Sequence, residues 1–113
     1  MSTTTLEVSA GALSDYDDWM KASRHGDLLV YWRGDLQFDR SVEIAESDIA
    51  RTEERKAINT LNAVADRIRR DAKDGQLTLT QRRLGESNYE YRATRIRIEY
   101  ISGKLHVRDL VPA

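Results

Sequence analysis

The strongest constraint on this chain sits at Gly75, where the spacing of apolar residues changes period. Upstream, Ala57, Ile58, Leu61, Val64, Ala65, Ile68 and Ala72 recur at steps of three and four, the interval that lines side chains along one face of an α-helix. Downstream, Leu77 and Leu79 alternate with Thr78 and Thr80, and after "LGESN" the alternation resumes with Tyr89, Tyr91 and Ala93. That is the two-residue interval of a half-buried strand. Glycine suits the position just past a helix end, where the backbone turns left-handed. A long amphipathic helix over residues 52–74 must therefore feed directly into a β-hairpin. At about 1.5 Å per residue the helix would be about 35 Å long.

The other elements follow from weaker signals. Residues 1–10 are small and hydroxyl-rich and read as a flexible tail, with a short edge strand through Leu6 and Val8 as the alternative. "SDYDDWMKASRHG" has Ser14 and Asp17 at capping-box spacing, acids early, Lys21, Arg24 and His25 late, and Gly26 as a stop. It reads as a helix of about three turns. "DLLVYW" is too short for a helix and reads as a buried inner strand. The stretch from Phe38 to Arg51 fits either a short helix or an extended loop. Ile96, Ile98 and Tyr100 are out of phase with Tyr89 and Tyr91, so a bulge or strong twist is expected near Arg95. Ser102 and Gly103 then turn the chain into "KLHVRDL", which completes a three-stranded antiparallel meander. The expected fold is a single α+β domain over residues 11–113: N-terminal helix, buried strand, long helix, C-terminal meander. A winged helix-turn-helix has this order, with the helix before the hairpin entering the major groove. A 35 Å helix exceeds what a groove needs, so part of it is left for packing or for a homodimer.

Composition narrows the function classes. One domain is what 113 residues accommodate. The chain has no cysteine, which removes disulfides, thiolate metal sites and cysteine nucleophiles. The N-terminus lacks a basic segment followed by an apolar core, and no apolar run approaches the roughly 20 residues of a membrane span. A cytoplasmic protein without a membrane partner is expected. The net charge of −1 conceals a polarity: four basic residues face ten acidic ones through Ala50, whereas fourteen face nine thereafter. Such a division offers a face that attracts anions, or two halves that complement each other.

The basic half supplies the candidate site. Arg82, Arg83, Arg92, Arg95 and Arg97 lie on or beside the hairpin, carrying planar guanidinium forks that match phosphate oxygens. Gln81 has the amide geometry that pairs with an adenine edge, and Tyr89 and Tyr91 can stack on bases or bond to phosphates. On the long helix, the side away from the apolar stripe displays Arg55, Asn59, Asn62, Asp66 and Arg70. The competing reading pairs the arginines with Glu86, Glu90 and Glu99 and sends the tyrosines into the core. Solvated surface is equally an ordinary reading of the helix's polar side.

Other chemistry is thinly represented. His25 and His106 are far apart in sequence and are explained by a helix C-terminus and an outward strand position, so neither a metal site nor a histidine base is expected. Asp15, Asp17, Asp18, Asp27, Asp35 and Asp39 have no spacing that gathers a cation. No glycine pattern cradles a phosphate, and no cofactor is expected. Arg33-Gly34-Asp35 matches an adhesion motif but reads as a turn. Trp19, Tyr31, Trp32 and Phe38 form either the core under the helices or, if exposed, a protein-binding anchor.

"YWRGDLQFDR", a helix, "GQLTLTQRR" and "YEYRATR" together resemble small proteins encoded in phages and prophages of proteobacteria, over roughly Tyr31 to Arg95. The resemblance implies a phage context and no enzymatic motif. It makes Arg33, Asp35, Asp39, Arg40, Arg82 and Arg83 members of structural or binding clusters. The leading expectation is a non-enzymatic phage accessory protein that binds nucleic acid through Gln81, Arg82, Arg83, Arg92 and Arg95 on the hairpin and Arg55, Asn59 and Arg70 on the helix. This requires those guanidinium groups to share one continuous patch. The second is a small inhibitor of a host enzyme or defence complex that uses its acidic half as a phosphate mimic or its aromatics as anchors. The third is a dimeric component of a phage particle.

Overall fold

The computed structural model describes residues 2–97 and, at the level of backbone pairing, the short strands Glu99–Ile101 and Lys104–His106. In chain order these are β1 (Thr3–Thr5), α1 (Ala12–Ala22), β2 (Leu28–Gly34), α2 (Leu36–Ser41), a 3₁₀ turn (Ile49–Arg51), α3 (Thr52–Lys73), β3 (Leu77–Gly85), β4 (Asn88–Arg95), β5 (Glu99–Ile101) and β6 (Lys104–His106). The fold is α+β, as the pattern change at Gly75 requires. Gly75 adopts φ +82 and closes α3, with the amide of Gln76 bonded back to the carbonyl of Asp71.

The sheet is mixed, in the order β1-β2-β4-β3. Residues 2–6 are thus not a free tail. Thr3–Thr5 pairs parallel with Leu28–Val30, and the Asp27 carboxylate accepts the backbone N–H groups of Ser2 and Arg24. Those two donors hold the Asp27 carboxyl below the usual carboxylate range. Leu6 follows the strand into the core, and that burial outweighs the chain entropy which favours fraying.

Helix α1 is capped three residues earlier than the capping pattern suggests. Its N-cap is Gly11, left-handed at φ 86, and Ser14 lies inside the helix without a capping bond. The shift places Ala12 and Tyr16 in the core, so packing overrides the local signal. Asp35 is a true N-cap, accepting the N–H of Phe38 at the start of α2.

The expected meander does not form. β3 and β4 make the hairpin, but β4 pairs on its other side with β2, while β5 and β6 form a separate two-stranded sheet. Nor is there a bulge at Arg95. β4 ends there, and the irregularities lie in β2 between Val30 and Trp32 and in β3 between Arg83 and Gly85. The phase change in the sequence marks the chain leaving the sheet. Ile98 and Val107 lie outside the described residues.

Helices α1 and α3 pack on one face of the sheet. Tyr16 from α1, Val64 and Ile68 from α3, Leu29 and Tyr31 from β2, Leu77 and Ala93 share the core. The Tyr16 hydroxyl donates to Asp71 Oδ2 at 2.5 Å in this buried layer. Burial and the adjoining carboxylate push the Tyr16 phenol well above its ordinary value. Trp19 and Trp32 pack against the core, as the core reading of the aromatics requires, but Phe38 is 64% exposed.

Candidate nucleic-acid interface

Strand register assigns the hairpin side chains to faces, because residues directly opposite each other point the same way and neighbours along a strand point apart. Leu79 pairs with Ala93, Gln81 with Tyr91 and Arg83 with Tyr89. These six occupy the face that carries α1 and α3. Arg82 pairs with Glu90, which pairs with Arg33 on its other side. With Arg92, they occupy the opposite face. The single continuous patch expected of Arg82, Arg83, Arg92 and Arg95 is therefore not present, since consecutive arginines on a strand cannot share a face.

Pairing divides them further. Glu90 accepts from Arg92 Nε at 2.7 Å and from Arg33 Nε at 3.0 Å. The two guanidinium groups, Arg92 foremost, hold its carboxyl below the usual range. Arg95 is 7% exposed and donates to the carbonyls of Gln76, Ile96 and Met20 at 3.0–3.3 Å. Arg97 donates to the carbonyls of Ser23, Met20 and Lys21 at 2.6–3.0 Å. A helix end leaves its last carbonyls without intrahelical partners, and these two arginines supply the missing donors for α1. His25 Nδ1 accepts the backbone N–H of Arg97, so the late basic residues of that helix do serve its C-terminus. Arg82 has no hydrogen bond or ion pair among the described residues, and Arg83 touches only the carbonyl of Gly85.

Of these six inner-face residues, Gln81 and Tyr91 border a cleft and Leu79 a hollow beside it, whereas Arg83 and Tyr89 lie farther along the same face. The cleft lies between the hairpin, α2 and the flank of α3, is about 650 Å³ in volume, and is lined by Leu36, Arg40, Asn62, Arg69, Gln81 and Tyr91. A neighbouring hollow of about 400 Å³ shares Arg40, Arg69, Gln81 and Tyr91 and reaches Tyr31 and Leu79. In the other direction the groove continues past Arg40 and Asn62 to Asn59 and Arg55. Two of the expected helix residues thus line it, at an end that also contains Glu43 and Glu46, the latter 3.7 Å from Arg55. Arg70, by contrast, is exposed away from the cleft and lies 3.4 Å from Asp71.

The cleft walls are held in place. Arg40 Nε donates to Asn62 Oδ1 at 2.8 Å, and its Nη2 pairs with Asp66. The Tyr91 hydroxyl accepts the backbone N–H of Leu36 at 3.0 Å, which leaves its own proton available to a ligand. Asp39 anchors the Trp32 indole N–H at 2.9 Å. That contact is why Gly34 must be glycine: a Cβ there would stand 2.7 Å from Asp39 Oδ2. "RGDLQFDR" is accordingly a structural run, with Arg33 on Glu90, Asp35 capping α2, Asp39 fastening Trp32 and Arg40 entering the cleft.

Arg69 is the residue that sequence reading passed over. It is exposed, and no carboxylate pairs with it among the described residues. Its position one step past Ile68 and four past Ala65 places it on the flank of the buried stripe, a signal that the division into inner and outer sides hides. Burial, with Tyr91 nearby, pushes the Tyr31 phenol up to about 12, while the charges of Arg69 and Arg40 pull the other way. Both guanidinium groups therefore act on the cleft floor. The ring centroids of Tyr31 and Tyr91 are 6.2 Å apart and those of Tyr89 and Tyr91 are 6.3 Å apart, all tilted. No protein-family model, curated protein or solved structure matches this chain.

Proposed function

We propose that this chain is a non-enzymatic nucleic-acid-binding protein whose site is the cleft between α3, α2 and the inner face of the hairpin, in the phage context that the sequence resemblance implies. The observation that supports the reading is the combination of Arg69 and Arg83, free of carboxylate partners among the described residues, with Tyr89, Tyr91 and Gln81 on one side of the sheet. Guanidinium groups that displace counterions supply affinity for a polyanion, and tyrosine rings add stacking surface. Arg40, already oriented by Asn62 and Asp66, contributes a preformed donor at the cleft base. The reading keeps Gln81 as a central ligand, places Arg83 beside the cleft toward the hairpin tip, and makes Arg55 and Asn59 distal ligands. It assigns Arg95 to the fold and Arg92 to Glu90, and gives Arg82 and Arg70 no part in the cleft. A fluorescence-anisotropy titration of the chain with labelled oligonucleotides at low salt tests it. Saturable binding that weakens on Arg69→Ala is the expected result, and no binding to any oligonucleotide would remove the proposal.

A second reading draws on a different surface. Ile49 is 83% exposed and Phe38 64%, and a small hollow lined by Val8, Trp32, Val42, Ala57, Ile58 and Leu61 lies beside α2. Exposed apolar groups rimmed by acids fit a protein-binding anchor, and this favours the inhibitor reading over a particle scaffold. Co-purification with one host protein that is lost on Phe38→Ser would support it.

A further inference from the structure

We infer that the cleft takes single-stranded nucleic acid and excludes the duplex, with unpaired bases against Tyr91 in the cleft and Tyr89 beside it on the same sheet face, and backbone phosphates on Arg69 and Arg40. This rests on the proposed nucleic-acid reading and goes beyond it by naming the strand state. Arg69, Asn62 and Arg40 line a recess under the hairpin, on the flank of α3 that faces the sheet. A helix reads a major groove, about 12 Å wide, with side chains that project freely from it. Side chains recessed beside a β-ribbon cannot reach base edges inside a stacked duplex, whereas a single strand can be threaded to them.

Tyr89 and Tyr91 are half-buried on the inner sheet face, with ring centroids 6.3 Å apart and planes inclined by 56°. They are tilted against each other rather than stacked, so exposed ring area remains for a ligand. Paired bases within a duplex present no free π-face, but every unpaired base does. The Tyr91 hydroxyl is fixed by the N–H of Leu36, which holds the ring in place before any ligand arrives. Gln81 stands directly opposite Tyr91, where its amide can bond to the edge of a base resting on that ring.

The cleft volume of about 650 Å³ falls within the range of about 300–1,000 Å³ typical of small-ligand clefts, enough for parts of a strand and far short of a double helix. From Arg55 to Arg69 along α3 the groove extends about 21 Å at 1.5 Å per residue. Its positive character is concentrated at the Arg69 end, while Glu43 and Glu46 sit at the other. The footprint is thus short, near the low end of the roughly 4–16 nucleotides that one single-strand-binding fold occupies.

The test is a competition measured by fluorescence anisotropy, with a labelled 12-nucleotide single strand displaced either by the same unlabelled strand or by its duplex. The expected result is at least tenfold weaker competition by the duplex. Tyr89→Leu should weaken single-strand binding at least fivefold and Arg69→Ala about tenfold, with the circular dichroism of each variant unchanged. Arg82→Ala, on the opposite face, should leave binding as it was. Equal competition by duplex and single strand, with loss on Arg69→Ala, would overturn the inference while leaving the nucleic-acid reading intact. No binding to either probe would overturn both. Binding lost on Arg82→Ala but retained on Arg69→Ala would move the site to the outer face and overturn the inference as well.

Discussion

Arg95 and Arg83 lie on the same face of the same hairpin, twelve residues apart in sequence, and serve opposite ends. Arg95 is enclosed at the end of the sheet beneath α1 and spends its donors on three backbone carbonyls. Arg83, near the hairpin tip, reaches only one neighbouring carbonyl at 3.3 Å. The difference comes from what each region has to satisfy. The base of the hairpin abuts a helix C-terminus whose carbonyls lack partners, and arginine meets that need with several donors in fixed directions. Near the tip, no carboxylate among the described residues pairs with Arg83. A count of arginines is therefore not a measure of a polyanion site. What counts is which guanidinium groups the fold leaves unspent, and here Arg69 from α3 joins Arg83 in that state.

The largest expected effect comes from the spent group. Arg95→Met should cost about 3 kcal/mol in urea-unfolding free energy, because it removes three charge-assisted hydrogen bonds and leaves the Ile96 carbonyl without a donor among the described residues, while the carbonyls of Gln76 and Met20 keep the Ile96 N–H and Arg97. A loss below 1 kcal/mol would mean those bonds are dispensable and would dissolve the contrast. Tyr16→Phe should cost about 2 kcal/mol by leaving Asp71 Oδ2 buried without its donor. The same hydroxyl sets the alkaline behaviour. Tyr16 and Tyr31 both keep their protons above the ordinary value of 10.0 in the fold and lose them near that value when unfolded. The unfolded chain then binds fewer protons from pH 10 upward, so stability is fully present below pH 10 and falls as pH rises through 10 to 12. The slope is about 1.4 kcal/mol per pH unit for each tyrosine. Unfolding free energies measured across that window should fall less steeply in Tyr16→Phe. Smallest of all, Arg69→Ala and Arg83→Ala should each change stability by less than about 0.5 kcal/mol, and a thermal melt indistinguishable from the native chain would sharpen the contrast with Arg95.

The regular parts of the fold were legible before any coordinates. The α3 stripe, the Gly75 stop, the short buried β2 and the hairpin turn all follow from local spacing, and each recurs in place within a few residues. Three features were not legible for one shared reason: they depend on contacts distant in sequence. The pairing of Thr3–Thr5 with β2 needs the Asp27 carboxylate as an anchor. The cap of α1 at Gly11 instead of Ser14 depends on core burial. The insertion of β2 beside β4, in place of a third meander strand, depends on the sheet's long-range order. At the candidate site, alternation alone already separates Arg82 from Arg83, so the expected single patch was excluded by the strand reading itself. That Arg95 and Arg97 cap α1 was hidden, since it joins residues more than seventy positions apart. Arg69 and Arg40 meet only because α2 folds back against α3.

The central claim, that Arg69 and Arg83 carry unspent charge toward a polyanion, is tested most directly by the salt dependence of single-strand binding in the double variant Arg69→Ala/Arg83→Ala. Each phosphate contact contributes about 0.7 to the slope of log affinity against log salt for a single strand. Removing two such contacts should flatten that slope by about 1.4 relative to the native chain. An unchanged slope in a fully folded double variant would contradict the account.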